Sequence, residues 1–158
     1  MAKILVTGTG GLIGSEAAKS WLNQGYKIVG IDNNSRKEFF GDKGDVSAVI
    51  GGLSQSLNYT HYSIDIRDRT SVDDLISSEL PNVIVHCAAQ PSHDRAAAIP
   101  FADFDTNAVG TFNLLEASRR HVPDVTFVHV STNKVYGDAP NFLELDEKET
   151  RYDYKDPE

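Results

Sequence analysis

The chain has 158 residues, 40% hydrophobic and 24% charged, which suits one soluble domain with no apolar run near the ~18–20 residues of a membrane span. Its formal net charge of −8 argues against nucleic acid or an anionic membrane as a partner. A single cysteine, Cys87, excludes an internal disulfide framework and, with a start (Met1-Ala2-Lys3) that lacks the form of a signal peptide, points to the cytoplasm.

Lys3–Thr7 reads as a short buried strand, β-branched and ended by glycine. Gly11–Gln24 reads as a helix with Ile13, Ala17, Ala18, Trp21 and Leu22 on one face and Gly25 as its C-terminal glycine. Tyr26–Ile31 is a second strand. The stretch 34–57 has four glycines and mixed charge and reads as a poorly patterned insertion, partly helical. Asn58–Ile64 is a third strand. Thr70-Ser71-Val72-Asp73 has the form of a capping box and opens a helix whose apolar face is Val72, Leu75, Ile76 and Leu80. Val83–His86 is a fourth strand. Phe101–Arg120 is the longest helix, with Phe101, Phe104, Ala108, Phe112 and Leu115 at helical spacing, and Val125–Ser131 is a fifth strand. From Asp138 onward there are eight acidic and three basic residues, so the acidity belongs mainly to a loop-like tail, 138–158.

Strands alternating with helices predict an α/β fold: a Rossmann-type, doubly wound parallel sheet of about five strands with helices on both faces, occupying residues 1–137. Ligands bind such sheets beyond the carboxyl ends of the strands, where every motif of this chain falls. Thr7-Gly8-Thr9-Gly10-Gly11-Leu12-Ile13-Gly14 follows the first strand and opens the first helix, which turns the first amides of a helix toward an anion. Gly8 permits the tight turn, Gly11 the approach of a phosphate and Gly14 close helix–strand packing, with Leu12 and Ile13 in the same turn. Asp32 ends the second strand 18 residues beyond Gly14, beside Asn33, where a carboxylate accepts both ribose hydroxyls and repels a 2′-phosphate. NAD is therefore the expected cofactor, Arg36 being either a 2′-phosphate partner or a solvated loop charge. Asp65 and Ile66 end the third strand, as an adenine contact or as a helix cap. Cys87-Ala88-Ala89-Gln90 ends the fourth, its small side chains leaving room for a flat cofactor or simply packing tightly. His61, His86, His121 and His129 have no metal-ligand spacing, and no metal is expected.

The spacing G-x-x-G-x-x-G, with Asp32, Asp65-Ile66, Ala88-Ala89, Asn107 and Ser131-Thr132, resembles the extended short-chain dehydrogenase/reductase family, the NAD-dependent epimerases and dehydratases of nucleotide sugars. The segment Asn107–Ala117 resembles that family's helix signature, and Ser131-Thr132-Asn133-Lys134-Val135-Tyr136-Gly137 its strand-end motif. The loops Cys87–Asp94 and Ser131–Asp138 resemble those of the CDP-paratose 2-epimerases (CDP-tyvelose epimerases) within it. The resemblance implies NAD and a nucleotide-sugar substrate, oxidised transiently to a keto-sugar and reduced again on the opposite face. It implies Gly8, Gly11 and Gly14 at the pyrophosphate, Asp32 at the ribose, Asp65 and Ile66 at adenine, and Ala88, Ala89 and Gln90 beside the nicotinamide half. Asn107 joins the cofactor residues, and Thr132 aligns with the hydroxyl that bonds the reacting sugar oxygen. Ser92, His93 and Asn133 are candidates for the sugar, His93 and Asp94 being alternatively a loop brace.

The family's base, a tyrosine four residues before a lysine, is missing: no Tyr-x-x-x-Lys occurs, and Tyr152 and Lys155 stand three apart. The resemblance therefore implies the amino-terminal part of a longer enzyme, inactive alone and stopping before the catalytic helix and the substrate domain. An apolar sheet face left uncovered predicts self-association or poor stability, and a homo-oligomer is expected. A non-catalytic NAD-binding module, or a dehydratase or reductase of the same superfamily, are the alternatives.

Overall fold

The strands β1 (Lys3–Thr7), β2 (Lys27–Ile31), β3 (Tyr59–Tyr62), β4 (Val83–His86) and β5 (Thr126–His129) form one parallel sheet in the order β3-β2-β1-β4-β5. The computed structural model describes residues 2–90 and 92–155, without the side chains of His93 and Asn133. Register aligns Tyr62, Ile31, Thr7, His86 and His129 in one row across the carboxyl edge of the sheet. The chain steps outward from β1 to β2 and β3, then returns past β1 to β4, so the switch in strand order lies between β1 and β4.

Each strand sends alternate side chains to opposite faces. One face buries Leu5, Val29 and Ile84 against Leu75, Ile76 and Leu114, and the other buries Ile4, Val6 and Ile28 against Ala18, Leu53 and Tyr59. Each fully buried Leu or Ile contributes roughly 1.5–3 kcal/mol. The first layer is α4 (Arg69–Glu79) with the helix Gly110–His121; the second is α1 (Leu12–Asn23) with α3 (Ser47–Leu53). Helix α1 ends as expected, with Gly25 at φ +85° and its N–H donated to the carbonyl of Leu22 at 2.9 Å.

Several elements differ from the sequence expectations or sharpen them. The stretch 34–57 is partly helical as expected: it is the crossover from β2 to β3 and carries α2 (Ser35–Phe40), a 3₁₀ turn (Gly41–Gly44) and α3. Helix α4 begins at Arg69, and its cap is Asp68, whose carboxylate accepts the N–H groups of Thr70 and Ser71. A capped helix start is worth about 1 kcal/mol. A short helix, α5 (His93–Ala98), follows β4, and the tail forms an antiparallel pair, β6 (Leu145–Glu147) with β7 (Tyr152–Tyr154). The long helix runs as α6 (Pro100–Phe104), a π turn (Asp105–Val109) and α7 (Gly110–His121).

The face of that helix differs most from expectation. Phe101, Phe104, Phe112 and Leu115 are 86%, 62%, 61% and 45% exposed. The buried face is Gly110, Asn113, Leu114, Ala117 and Ser118. Small residues are needed there because the helix lies tight on the turn after β3: a Cβ on Gly110 would come within 2.6 Å of the Ile66 side chain. Strand β5 is also open, with Val128 44% exposed. No helix among the described residues is long and apolar enough to cross a membrane.

Candidate functional site

A cavity of about 270 Å³ opens above the carboxyl ends of β1, β2 and β4, at the switch in strand order. Its floor is the glycine turn. Gly8, at φ +71°, donates its N–H to the Ile31 carbonyl at 2.7 Å, and Gly11 donates to the Gly8 carbonyl at 3.0 Å. No side chain caps α1, so its first-turn amides face the cavity beside Gly11, Leu12, Ile13 and Gly14, all of which line it. A Cβ on Gly8 would meet the Ala88 nitrogen at 2.9 Å, and this close approach brings the turn against the end of β4. Leu12 and Ile13, with 75% and 55% exposure, are lining residues; Ile13 therefore does not join the core face expected of α1.

Asp32 ends β2 at the cavity wall. One carboxylate oxygen accepts the Gly10 N–H and the other the Asn34 N–H, both at 2.8 Å. The crossover is pinned to the same place. Val46 covers Gly10, where a Cβ would come within 2.3 Å of it, and the Asn34 side chain accepts the Val46 N–H and donates to Asp45. Asn33 lines the cavity, and its side-chain oxygen accepts the Ser35 N–H at 3.1 Å. Asp65 is paired with Arg67, whose guanidinium and backbone N–H both donate to it, the shortest contact being 2.6 Å. The Arg67 guanidinium holds the Asp65 carboxyl below its ordinary pKa. Asn113 donates to the carbonyls of Ile66 and Arg67 at 3.0 and 3.2 Å, which ties this turn to α7.

At the other end, Ala88 and Ala89 line the cavity as expected, with Cys87. Gln90 and Asn107 are not among its lining residues; they lock each other. The Gln90 N–H donates to the Asn107 side-chain oxygen at 2.9 Å, and both amide side chains donate to Asp103. Gln90 also exchanges two hydrogen bonds with the Ser92 backbone. Ser92 caps α5 through its hydroxyl, and Thr132 caps the 3₁₀ turn Asn133–Tyr136 by accepting the Lys134 N–H at 3.2 Å. Thr132 is exposed and outside the cavity lining. The side chains of His93 and Asn133 lie outside the described residues.

Several residues that support the site were not singled out in the sequence. Tyr59 lies over Gly30 and donates its hydroxyl to Thr9 at 3.0 Å, beneath the glycine turn. Arg95 donates to the carbonyl of Phe39 and lies 5.9 Å from its ring, joining α5 to the crossover that walls the cavity. Thr7 is fully buried, and its hydroxyl oxygen accepts the N–H groups of Cys87 and Ala88 at 3.1 and 3.0 Å. Its proton is thus directed to His86 Nδ1, 2.7 Å away. The proton of His86 is then on Nε2, which donates to the Thr111 hydroxyl at 2.9 Å; Thr111 donates in turn to the Asn107 carbonyl at 2.6 Å.

Burial, and secondarily the neighbouring His129, push the His86 pKa down to about 4. The unfolded chain takes up that proton near pH 6.5, so the fold binds fewer protons between the two values. Stability is accordingly full above about pH 6.5 and falls as the pH drops toward 4, before carboxylate titration dominates. Urea unfolding midpoints at pH 7 and pH 5 will show this loss, and it will be smaller in His86→Gln.

A parallel sheet with an uncapped glycine turn at its switch point and a carboxylate at the end of β2 defines a dinucleotide-binding domain of the Rossmann type. The model of the NAD dependent epimerase/dehydratase family matches residues 4–157, and the chain belongs to this family. It is 36% identical to the CDP-paratose 2-epimerase of Salmonella typhi over 95% of this chain and 42% of that protein. It is 32% identical to dTDP-glucose 4,6-dehydratase 1 of Escherichia coli K12 over 93% of this chain and 41% of that protein. The solved structure of Bordetella bronchiseptica WbmH in complex with NAD⁺ superposes with a TM-score of 0.71 at 31% identity, covering 87% of this chain and 41% of that one. The chain thus spans about two-fifths of the length of these proteins.

Proposed function

We propose that this chain is the NAD-holding part of a nucleotide-sugar epimerase similar to CDP-paratose 2-epimerase, which oxidises a sugar carbon transiently and reduces it again from the opposite face. The arrangement of the glycine turn with Asp32 carries this reading. The turn offers uncapped amides to a pyrophosphate, and among the described residues a Cβ on Gly11 would meet only the Gly8 carbonyl within 4 Å, so the approach there is open. Asp32 offers a carboxylate to the ribose hydroxyls, with Asn33 beside it, and disfavours a 2′-phosphate. Asp65 and Ile66 take the adenine end, with Arg67 fixing the carboxylate. Ala88 and Ala89 leave room for the nicotinamide half, while Gln90 and Asn107 act by holding that loop.

When bound, NAD supplies the hydride acceptor and donor. Thr132 is the residue we assign to the reacting sugar hydroxyl, because a hydroxyl can donate to that oxygen and accept from it as a proton leaves. Ser92, His93 and Asn133 are assigned to the sugar. Lacking Tyr-x-x-x-Lys, the chain alone binds cofactor without turnover. A nucleotide-sugar dehydratase is the second reading, favoured by the 32% identity to dTDP-glucose 4,6-dehydratase 1.

Calorimetric titration of the protein with NAD and NADP tests the cofactor assignment. Saturable NAD binding is expected, with NADP weaker by about tenfold or more because its 2′-phosphate meets the Asp32 carboxylate. Absence of NAD binding, or a preference for NADP, overturns it.

A further inference from the structure

We propose that His86, which lies outside the cavity, is a positioning residue for the cofactor: its hydrogen-bond polarity holds the end of β4 against the glycine turn. The inference rests on the cofactor reading above. His86 sits in the carboxyl-edge row of the sheet between Thr7, which leads into the glycine turn, and His129. It is 2% exposed. Its ring joins the two halves of the site through one directed chain. With both its lone pairs taken by the Cys87 and Ala88 N–H groups, the Thr7 hydroxyl has only its proton left to give, and His86 Nδ1 accepts it. If Nδ1 carried the proton, the Thr7 oxygen would face three donors and its own hydrogen would lack this acceptor. At the far side, His86 Nε2–H is received by Thr111, which frees the Thr111 proton for the Asn107 carbonyl. Asn107 holds Gln90. The ring therefore sets both ends of the loop 87–90, whose Ala88 and Ala89 wall the cavity. An apolar residue of similar size would fill the space and leave the buried Thr7 proton without its acceptor.

The test is NAD titration of His86→Phe, His86→Gln and Thr111→Val beside the wild type, with ¹⁵N spectra of the wild-type His86 ring. His86→Phe is expected to weaken NAD binding about tenfold and Thr111→Val about fivefold, whereas His86→Gln, which can accept at one end and donate at the other, stays within about threefold. The wild-type ring is expected to be neutral with its proton on Nε2. Should His86→Phe fail to fold, the Thr111→Val affinity and the ring tautomer decide. NAD affinities equal to wild type in folded His86→Phe or Thr111→Val, even with a lowered unfolding midpoint, overturn the inference, as does a proton on Nδ1. Wild type that binds no NAD overturns the cofactor reading itself; wild type that binds it alongside an equally tight His86→Phe overturns only the role of His86.

Discussion

Gly14→Ala is expected to destabilise the protein by about 3 kcal/mol or more and to abolish NAD binding. The added Cβ would lie 2.2 Å from the Gly8 carbonyl oxygen, 2.7 Å from its carbon and 3.2 Å from the Thr9 Cα. All three are backbone atoms, so no rotamer change relieves the overlap. The helix must lift from the turn, and the Gly8 and Gly11 hydrogen bonds that shape the cavity floor go with it. Gly51→Ala is the matching control. Gly51 lies within α3, where a Cβ would meet nothing within 4 Å among the described residues, and alanine there is expected to stabilise by up to about 1 kcal/mol. Urea unfolding of both variants, with calorimetry of whatever remains folded, checks the pair. A Gly14→Ala protein that folds and binds NAD normally would show that close helix–strand packing is not what shapes this site.

Asp32→Ala is expected to weaken NAD by about a hundredfold, equivalent to about 2.7 kcal/mol, while weakening NADP far less. Three losses combine. The ribose loses its carboxylate, the Gly10 N–H loses its partner, and so does the Asn34 N–H, each of the latter at 2.8 Å in the wild type. The 2′-phosphate meanwhile loses a repelling charge. Asp32→Asn separates these effects. Its single carbonyl oxygen can serve one of the two amides, and its amide nitrogen would face the other donor, so the turn is disturbed although the shape is kept. Its affinity for NAD is expected to fall nearly as far as that of the alanine variant. Calorimetry with both dinucleotides reads this directly; an NAD affinity within threefold of wild type in both variants would remove Asp32 from the site.

The sheet and the front of the site were legible because they are written in adjacent residues. β-branched runs ended by glycine or a polar residue mark β1, β2 and β4, and the glycine turn, Asp32 and Ala88-Ala89 follow each strand within a few positions. What stayed hidden is the support behind them. Thr7 and His86 are 79 residues apart, His86 and Thr111 25, and Tyr59 and Thr9 50, and nothing local marks these pairs as partners. A buried histidine and two threonines read singly as ordinary strand and helix residues. The phenylalanines of the long helix misled for a complementary reason. Apolar spacing identifies a helix, but the face that packs here is chosen by closeness, and Gly110 and Ala117 allow what Phe112 would not. Asn113 was invisible as a core residue because its partners are backbone carbonyls.

The π turn at Asp105–Val109 gives the long helix a phase that a straight one would lack. Each α-helical residue advances about 100° around the axis, so one additional residue in a turn rotates everything after it relative to everything before. Ahead of the turn, Asp103 reaches Gln90; behind it, Asn113 reaches Ile66 and Arg67. These contacts sit at opposite ends of the cavity. The helix thus works as a caliper whose two jaws are set at different angles, and the spacing of the two cavity walls is encoded in the length of a segment that touches the cavity itself only through Thr106.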